Sequence, residues 1–158
     1  MDNYVQALIR KHRANGVLVD TNLMVLLLVG RAHKRRIREH KRTSDYTVRD
    51  YDLLEQLIAE FQRIVTTPHV LTEISNLIPE LAGRLKASIA EAHELWGQSV
   101  TVIQEPFFLP FGLTDAAISM AAAQDFLVLT SDARLFAALQ GQGRDAINLD
   151  ILRGLPRA

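Results

Sequence analysis

Val17-Leu18-Val19-Asp20-Thr21-Asn22, running without a break into Leu23-Met24-Val25-Leu26-Leu27-Leu28-Val29-Gly30, decides how this chain folds. A short β-branched run that stops at three polar residues reads as a buried strand followed by a turn. The apolar residues after it are continuous rather than alternating, which predicts a buried helix from Leu23 to Val29. That run is seven residues long, against the roughly 20 that a bilayer span needs, so it belongs to a protein core.

The same alternation of short strand and helix repeats outward from this segment. Thr47 is placed to cap a helix with Asp50 three residues on, and Leu53, Leu54, Leu57, Ile58 and Phe61 recur at helical spacing towards Gln62. Ile64-Val65-Thr66 predicts a second strand, closed by Thr67-Pro68 at the head of a helix carrying Val70, Leu71, Ile74 and Leu77. A further helix is expected from Glu80 to Trp96, and a third strand at Val100–Ile103. Beyond a Pro/Phe-rich loop, Thr114 would cap a helix from Asp115 to Gln124. Phe126–Thr130 then reads as a fourth strand, Ala133–Gln140 as a helix and Ala146–Leu149 as a fifth strand. Such alternation predicts a three-layer α/β/α domain, one domain over residues 1–158, around a central parallel sheet of four to five strands.

Composition narrows the chemistry. The chain has 158 residues, 48% apolar and 23% charged, in keeping with a single well-cored domain. It contains no cysteine, which excludes disulfide scaffolds, thiolate zinc sites and cysteine nucleophiles. The first sixteen residues are charged at both ends and lack the apolar stretch of a secretory signal, so a cytoplasmic location is expected. The formal net charge is zero, yet residues 1–42 hold ten Lys/Arg against three Asp/Glu, and the remainder of the chain is correspondingly acidic. A locally positive stripe of this kind suits a polyanionic partner.

In open α/β sheets ligands gather at the carboxyl ends of the strands. Asp20 follows the first strand directly, Asp132 follows the fourth by two residues, Asp115 opens a helix, and Glu73 lies early on the helix after the second strand. Each has a plainer role when taken alone. Asp115 would complement a helix N-terminus, Asp132 would cap a helix, and Glu73 would sit solvated in its first turns. Asp20, wedged between two apolar runs, needs a partner in any case, whether a metal or a capping amide. Together the four would repel, because two unit charges about 4 Å apart cost about 4 kcal/mol at an effective dielectric near 20. No lysine neighbours Asp20, Glu73 or Asp115 in sequence. A divalent ion held by oxygen, Mg²⁺ or Mn²⁺ rather than zinc, is the expected neutraliser.

Four segments match a known pattern in order and spacing. They are strand-Asp-Thr-Asn at 20–22, Pro-x-x-x-x-Glu at 68–73, Thr-Asp-Ala at 114–116, and Leu-Thr-Ser-Asp at 129–132. In these the chain resembles the PIN-domain nucleases from about Val17 to Leu149. The resemblance implies a metal-dependent endoribonuclease with Asp20, Glu73, Asp115 and Asp132 as its acidic quartet. Asp20, Asp115 and Asp132 would be the metal ligands, while Asn22 and Thr130 would be supporting polar residues. It also implies hydrolysis that leaves 5′-phosphate and 3′-hydroxyl ends. Chemically, a metal on these carboxylates would polarise a phosphate oxygen and acidify a water for in-line attack, with Glu73 positioning or deprotonating that water. Where many family members carry a further acid two residues after the last Asp, this chain has Arg134. The resemblance therefore speaks for a first metal site more than for a second.

Arg31, Lys34, Arg35, Arg36, Arg38, Lys41 and Arg42 place seven cations within the twelve residues 31–42. They are the expected contacts to RNA phosphates, positioning the strand without reading its sequence. No aromatic residue interrupts them, so base stacking is not expected there. Within the resembling family the chain would be either a VapC-type toxin restrained by an antitoxin protein or a stand-alone RNA-processing enzyme, and dimers are common. A second reading is an RNA-binding or scaffold module that keeps the fold without turnover. A third, a phosphatase of the haloacid-dehalogenase kind, needs a second Asp where Asn22 stands.

Overall fold

The computed structural model of the chain describes residues 3–154. In chain order the elements are α1 (Asn3–His12), β1 (Val17–Val19), α2 (Thr21–His33), a 3-10 turn at Lys34–Arg36, α3 (Val48–Ala59), β2 (Ile64–Thr66) and α4 (Pro68–Leu77). A 3-10 turn at Pro79–Leu81 leads to α5 (Ala82–Glu91), β3 (His93–Glu94), α6 (Ser99–Val102), α7 (Phe108–Phe111) and α8 (Leu113–Ala122). The chain then forms β4 (Leu127–Thr130), α9 (Ala133–Gly141), β5 (Ala146–Asn148) and α10 (Leu149–Gly154).

The five strands form one parallel sheet in the order β3-β2-β1-β4-β5. Helices flank it, giving the expected three-layer α/β/α architecture. Because the strand order reverses between β1 and β4, the loops leaving these two strands diverge, and a crevice opens at their carboxyl ends. Register fixes what meets there: Val19 pairs with Leu129, so Asp20 emerges beside Thr130.

Helix α2 is the centre of the molecule. Leu23 to Val29 are all buried, and α2 packs against α3, α4 and α5. Gly30 does not stop this helix, which continues to His33. Its glycine has another cause: a Cβ at that position would run into the ring of Tyr51 from α3. The Thr47–Asp50 capping box starts α3 as the sequence predicts, with Asp50 N–H donating to Thr47 Oγ1 at 3.2 Å and Thr47 N–H donating to Asp50 Oδ2 at 2.7 Å.

The structure corrects several boundaries. Val100–Ile103 is not the third strand, since Ser99–Val102 forms a turn of helix; four residues carry too little periodicity to separate the two. The third strand is His93–Glu94, inside the segment expected to be helical to Trp96. Its two residues are extended because they complete the edge of β2, through Val65↔His93 and Thr66↔Glu94. Thr114 does not cap α8; Gly112, with φ of +91°, occupies that position, and Thr114 and Asp115 fall in the first turn. Leu149 belongs to α10, because Asn148 Oδ1 accepts from the N–H groups of Asp150 and Ile151 and ends the strand. Helix α1, which the strand-helix alternation does not announce, buries Val5, Leu8, Ile9 and His12 against the body. Trp96, at the end of the segment expected to be helical, is 79% exposed, whereas Phe107 is buried and its ring stacks on that of Phe111. No helix among the described residues is long and apolar enough to cross a membrane.

Candidate active site

Asp20 ends β1 and caps α2. Its Oδ1 accepts the Asn22 backbone N–H at 3.3 Å, and its Oδ2 accepts a short hydrogen bond from the Thr130 hydroxyl. Thr130 Oγ1 in turn accepts from the Asp132 N–H at 2.9 Å. The end of β1 and the turn after β4 are thereby joined through one threonine, buried together with Asp20. Asp132 caps α9, its Oδ1 accepting from the N–H groups of Arg134 at 2.7 Å and Leu135 at 3.0 Å. Glu73 reaches across from α4 and accepts the Thr21 hydroxyl on Oε2 at 2.8 Å, which ties it to the residue next to Asp20. Asp115, in the first turn of α8, is half-buried.

The electrostatics show that these four acids share one field. Burial pushes the Asp20 carboxyl up from an ordinary 3.8 to about 6, with further upward pressure from Asp132 and Glu73 and downward pressure from its hydrogen bonds to Thr130 and Asn22. Asp115 is pushed up to about 7, first by burial and then by the charges of Asp20, Asp132 and Glu73. The Arg134 guanidinium is the cation that acts against this rise. Its side chain lies over the Phe111 ring and donates to the Pro110 carbonyl at 3.2 Å.

The donors are all carboxylate oxygens, which suits a hard divalent cation in kind, and their mutual repulsion suits it in charge. Among the described residues, however, no three His, Asp or Glu side chains are closed up into a group that would hold a metal as they stand. The capping bonds explain why: oxygens of Asp20, Asp132 and Glu73 are turned to backbone amides and hydroxyls. Repulsion among the acids opposes any tighter gathering.

The basic stripe divides in two. Arg31 pairs with Glu55 of α3, Nε to Oε1 at 2.8 Å, Lys34 pairs with Asp52 at 2.5 Å and lies over the Tyr51 ring, and Arg36 pairs with Glu39. These pairs fasten the end of α2 to α3 or close locally. Arg35, Arg38, Lys41 and Arg42 are exposed and form no ion pair among the described residues. Arg31 lies ten residues along α2 from its start, about 15 Å at 1.5 Å per residue, whereas Arg42 is four residues before Tyr46, whose hydroxyl meets Ser131 beside Asp132.

Sequence reasoning passed over several groups around the site. Thr21 holds Glu73, and Ser131 meets the Tyr46 hydroxyl at 2.6 Å. His69 and Asn76 line a groove beside Glu73. Thr21 and Ser131 were signalled by adjacency to the acids. For His69 and Asn76 the signal was their three-and-four spacing with Glu73 along one helix.

No family model and no curated protein matches the chain. Among solved structures it is similar to the crystal structure of PAE2754 from Pyrobaculum aerophilum, at 16% identity and a TM-score of 0.52, over 88% of this chain and 94% of that one. At that identity the likeness is one of fold.

Proposed function

We propose that the chain is a metal-dependent endoribonuclease of the PIN-domain kind. The observation that carries this reading is the placement of Asp20, Glu73, Asp115 and Asp132 in one electrostatic field at the sheet's switch point, with Asp20 and Asp115 both pushed far above the ordinary carboxylate range. Asp20, Asp115 and Asp132 would hold Mg²⁺ or Mn²⁺. When bound, the ion supplies positive charge to a scissile phosphate and makes water acidic enough to react near neutral pH. Glu73, steadied by Thr21, is placed to orient the attacking water and take its proton. Thr130 fixes the Asp20 carboxylate, and Asn22 in the first turn of α2 presents a neutral polar side chain to the substrate. Arg134 offers a positive charge to the phosphate. Arg35, Arg38, Lys41 and Arg42, with whatever share Arg31, Lys34 and Arg36 can add, draw the RNA backbone. An antitoxin or a second copy of the chain would find the exposed Trp96, Val100, Ile103 and Leu109 available for burial.

The test is incubation of the purified chain with a mixed RNA pool and Mn²⁺, beside EDTA and Asp20→Asn controls. Endonucleolytic products with 5′-phosphate ends, lost in both controls, are expected. Products that survive both controls, or none from the wild type, contradict the reading. The second reading, an RNA-binding module without turnover, is favoured by one observation: among the described residues the acids do not stand closed up as a metal-holding group.

A further inference from the structure

We infer that the groove between α4 and the start of α8 is a nucleobase subsite, through which the chain selects one base beside the cleavage point. This rests on the reading of the carboxylates as an RNA-cutting centre. The groove has a volume of about 450 Å³, within the range of small-molecule sites. One wall is a stripe of α4, formed by His69, Thr72, Glu73 and Asn76 at the spacing of a single helical face. The opposite wall is Leu113 and Thr114, immediately before Asp115. The groove thus adjoins the acidic centre through Glu73 in its lining and through Thr114, next to Asp115 in the chain.

Charge decides what fits. The lining contains a carboxylate and no lysine or arginine, so an RNA phosphate is repelled, while a neutral flat group with polar edges is accepted. The polar groups are available. The Asn76 amide makes no side-chain hydrogen bond among the described residues, and such an amide offers a donor and an acceptor side by side, the pattern that pairs with an adenine edge. The Thr72 hydroxyl donates to the Pro68 carbonyl at 2.8 Å, which leaves its oxygen free to accept. His69 Nδ1 is shut off from solvent with no hydrogen-bond partner, a polar group left for a ligand to satisfy. Pro68 and Leu113 supply apolar surface for the rest of the ring system. A base enters such a groove when unpaired and unstacked.

The test uses the full chain and the four ribonucleoside 5′-monophosphates, with ribose 5-phosphate as the base-free probe, followed by the NMR signals of the His69 ring and the Asn76 amide. One nucleotide is expected to shift both saturably and to bind at least about tenfold more tightly than the weakest of the four. Asn76→Ala and His69→Ala, both on the groove face of α4, should each remove that preference. Absence of a saturable shift with any nucleotide at millimolar concentration overturns the proposal, as does an equal shift with ribose 5-phosphate. Sequenced cut sites from a randomised single-stranded RNA pool with Mn²⁺ separate this proposal from the nuclease reading. Metal-dependent cutting without base preference overturns the subsite and leaves the nuclease standing. Base-selective shifts without cutting uphold the subsite on an RNA-binding module.

Discussion

Asp20 and Asp115 carry a pH signature opposite to that of a salt-bridged acid. Their folded values, about 6 and about 7, lie above the ordinary 3.8, so between pH 4 and 7 the folded chain keeps protons that the unfolded chain has released. Stability from these groups therefore falls as pH rises through that window, by about 1.4 kcal/mol for each unit of displacement, with the half-exposed Asp115 contributing less through screening. Urea unfolding of the wild type beside Asp20→Asn, without divalent ions, isolates the buried acid. The variant should gain on the wild type by about 3 kcal/mol from pH 3 to pH 8, of which about 1.4 kcal/mol falls above pH 5. A constant difference would mean that Asp20 is not strained by burial. Asp132 separates its two roles by substitution. Asparagine caps a helix about as well as aspartate, so Asp132→Asn should change stability by less than about 0.5 kcal/mol. Removal of its charge should nonetheless lower Mn²⁺-dependent cleavage by at least about a hundredfold, measured as initial rate on one RNA. Equal loss of stability and activity would reduce Asp132 to a cap.

At the scale of elements, the sequence was most legible where local chemistry and tertiary demand agree. The β1–α2 junction, the Thr47 capping box and the Thr67-Pro68 start of α4 all satisfy their own backbone amides, and the structure keeps each of them. Thr47→Ala is expected to cost about 1 kcal/mol in a urea titration, and Gly30→Ala about 1–3 kcal/mol because its methyl group meets the Tyr51 ring. What could not be read locally was the edge of the sheet. His93–Glu94 is extended through pairing with β2, a long-range condition that its own residues do not announce, and Val100–Ile103 has strand composition but no strand to pair with. Gly112 took the place of Thr114 because the chain leaving α7 arrives with a positive φ that glycine adopts at little cost. For the site, the four acids and their common location at the carboxyl edge were legible. The caps made by Asp20 and Asp132 were legible too, but the hydroxyl bonds from Thr21 to Glu73 and from Thr130 to Asp20 were not, since they depend on register between strands and helices distant in sequence.

Across the whole molecule, charge is arranged in two regions, which on the nuclease reading one RNA would touch together. The acidic centre lies at the switch point, and the exposed cations Arg35, Arg38, Lys41 and Arg42 lie in the segment that leads from α2 to Tyr46, whose hydroxyl meets Ser131. RNA affinity should therefore fall steeply with salt, and Arg35→Ala with Arg38→Ala should flatten the slope of log K against log salt by roughly 0.7 for each phosphate no longer neutralised. An unchanged slope, by fluorescence anisotropy on a single-stranded RNA, would remove the stripe from the interface. The nuclease reading requires the acids to accept a divalent ion. Calorimetric titration of Mn²⁺ into the metal-free chain at pH 6.5 tests this most directly, in two buffers of different ionisation enthalpy. Saturable binding that releases protons from Asp20 and Asp115, and that disappears in Asp20→Asn, is the predicted result; no binding, or binding indifferent to Asp20→Asn, would contradict it.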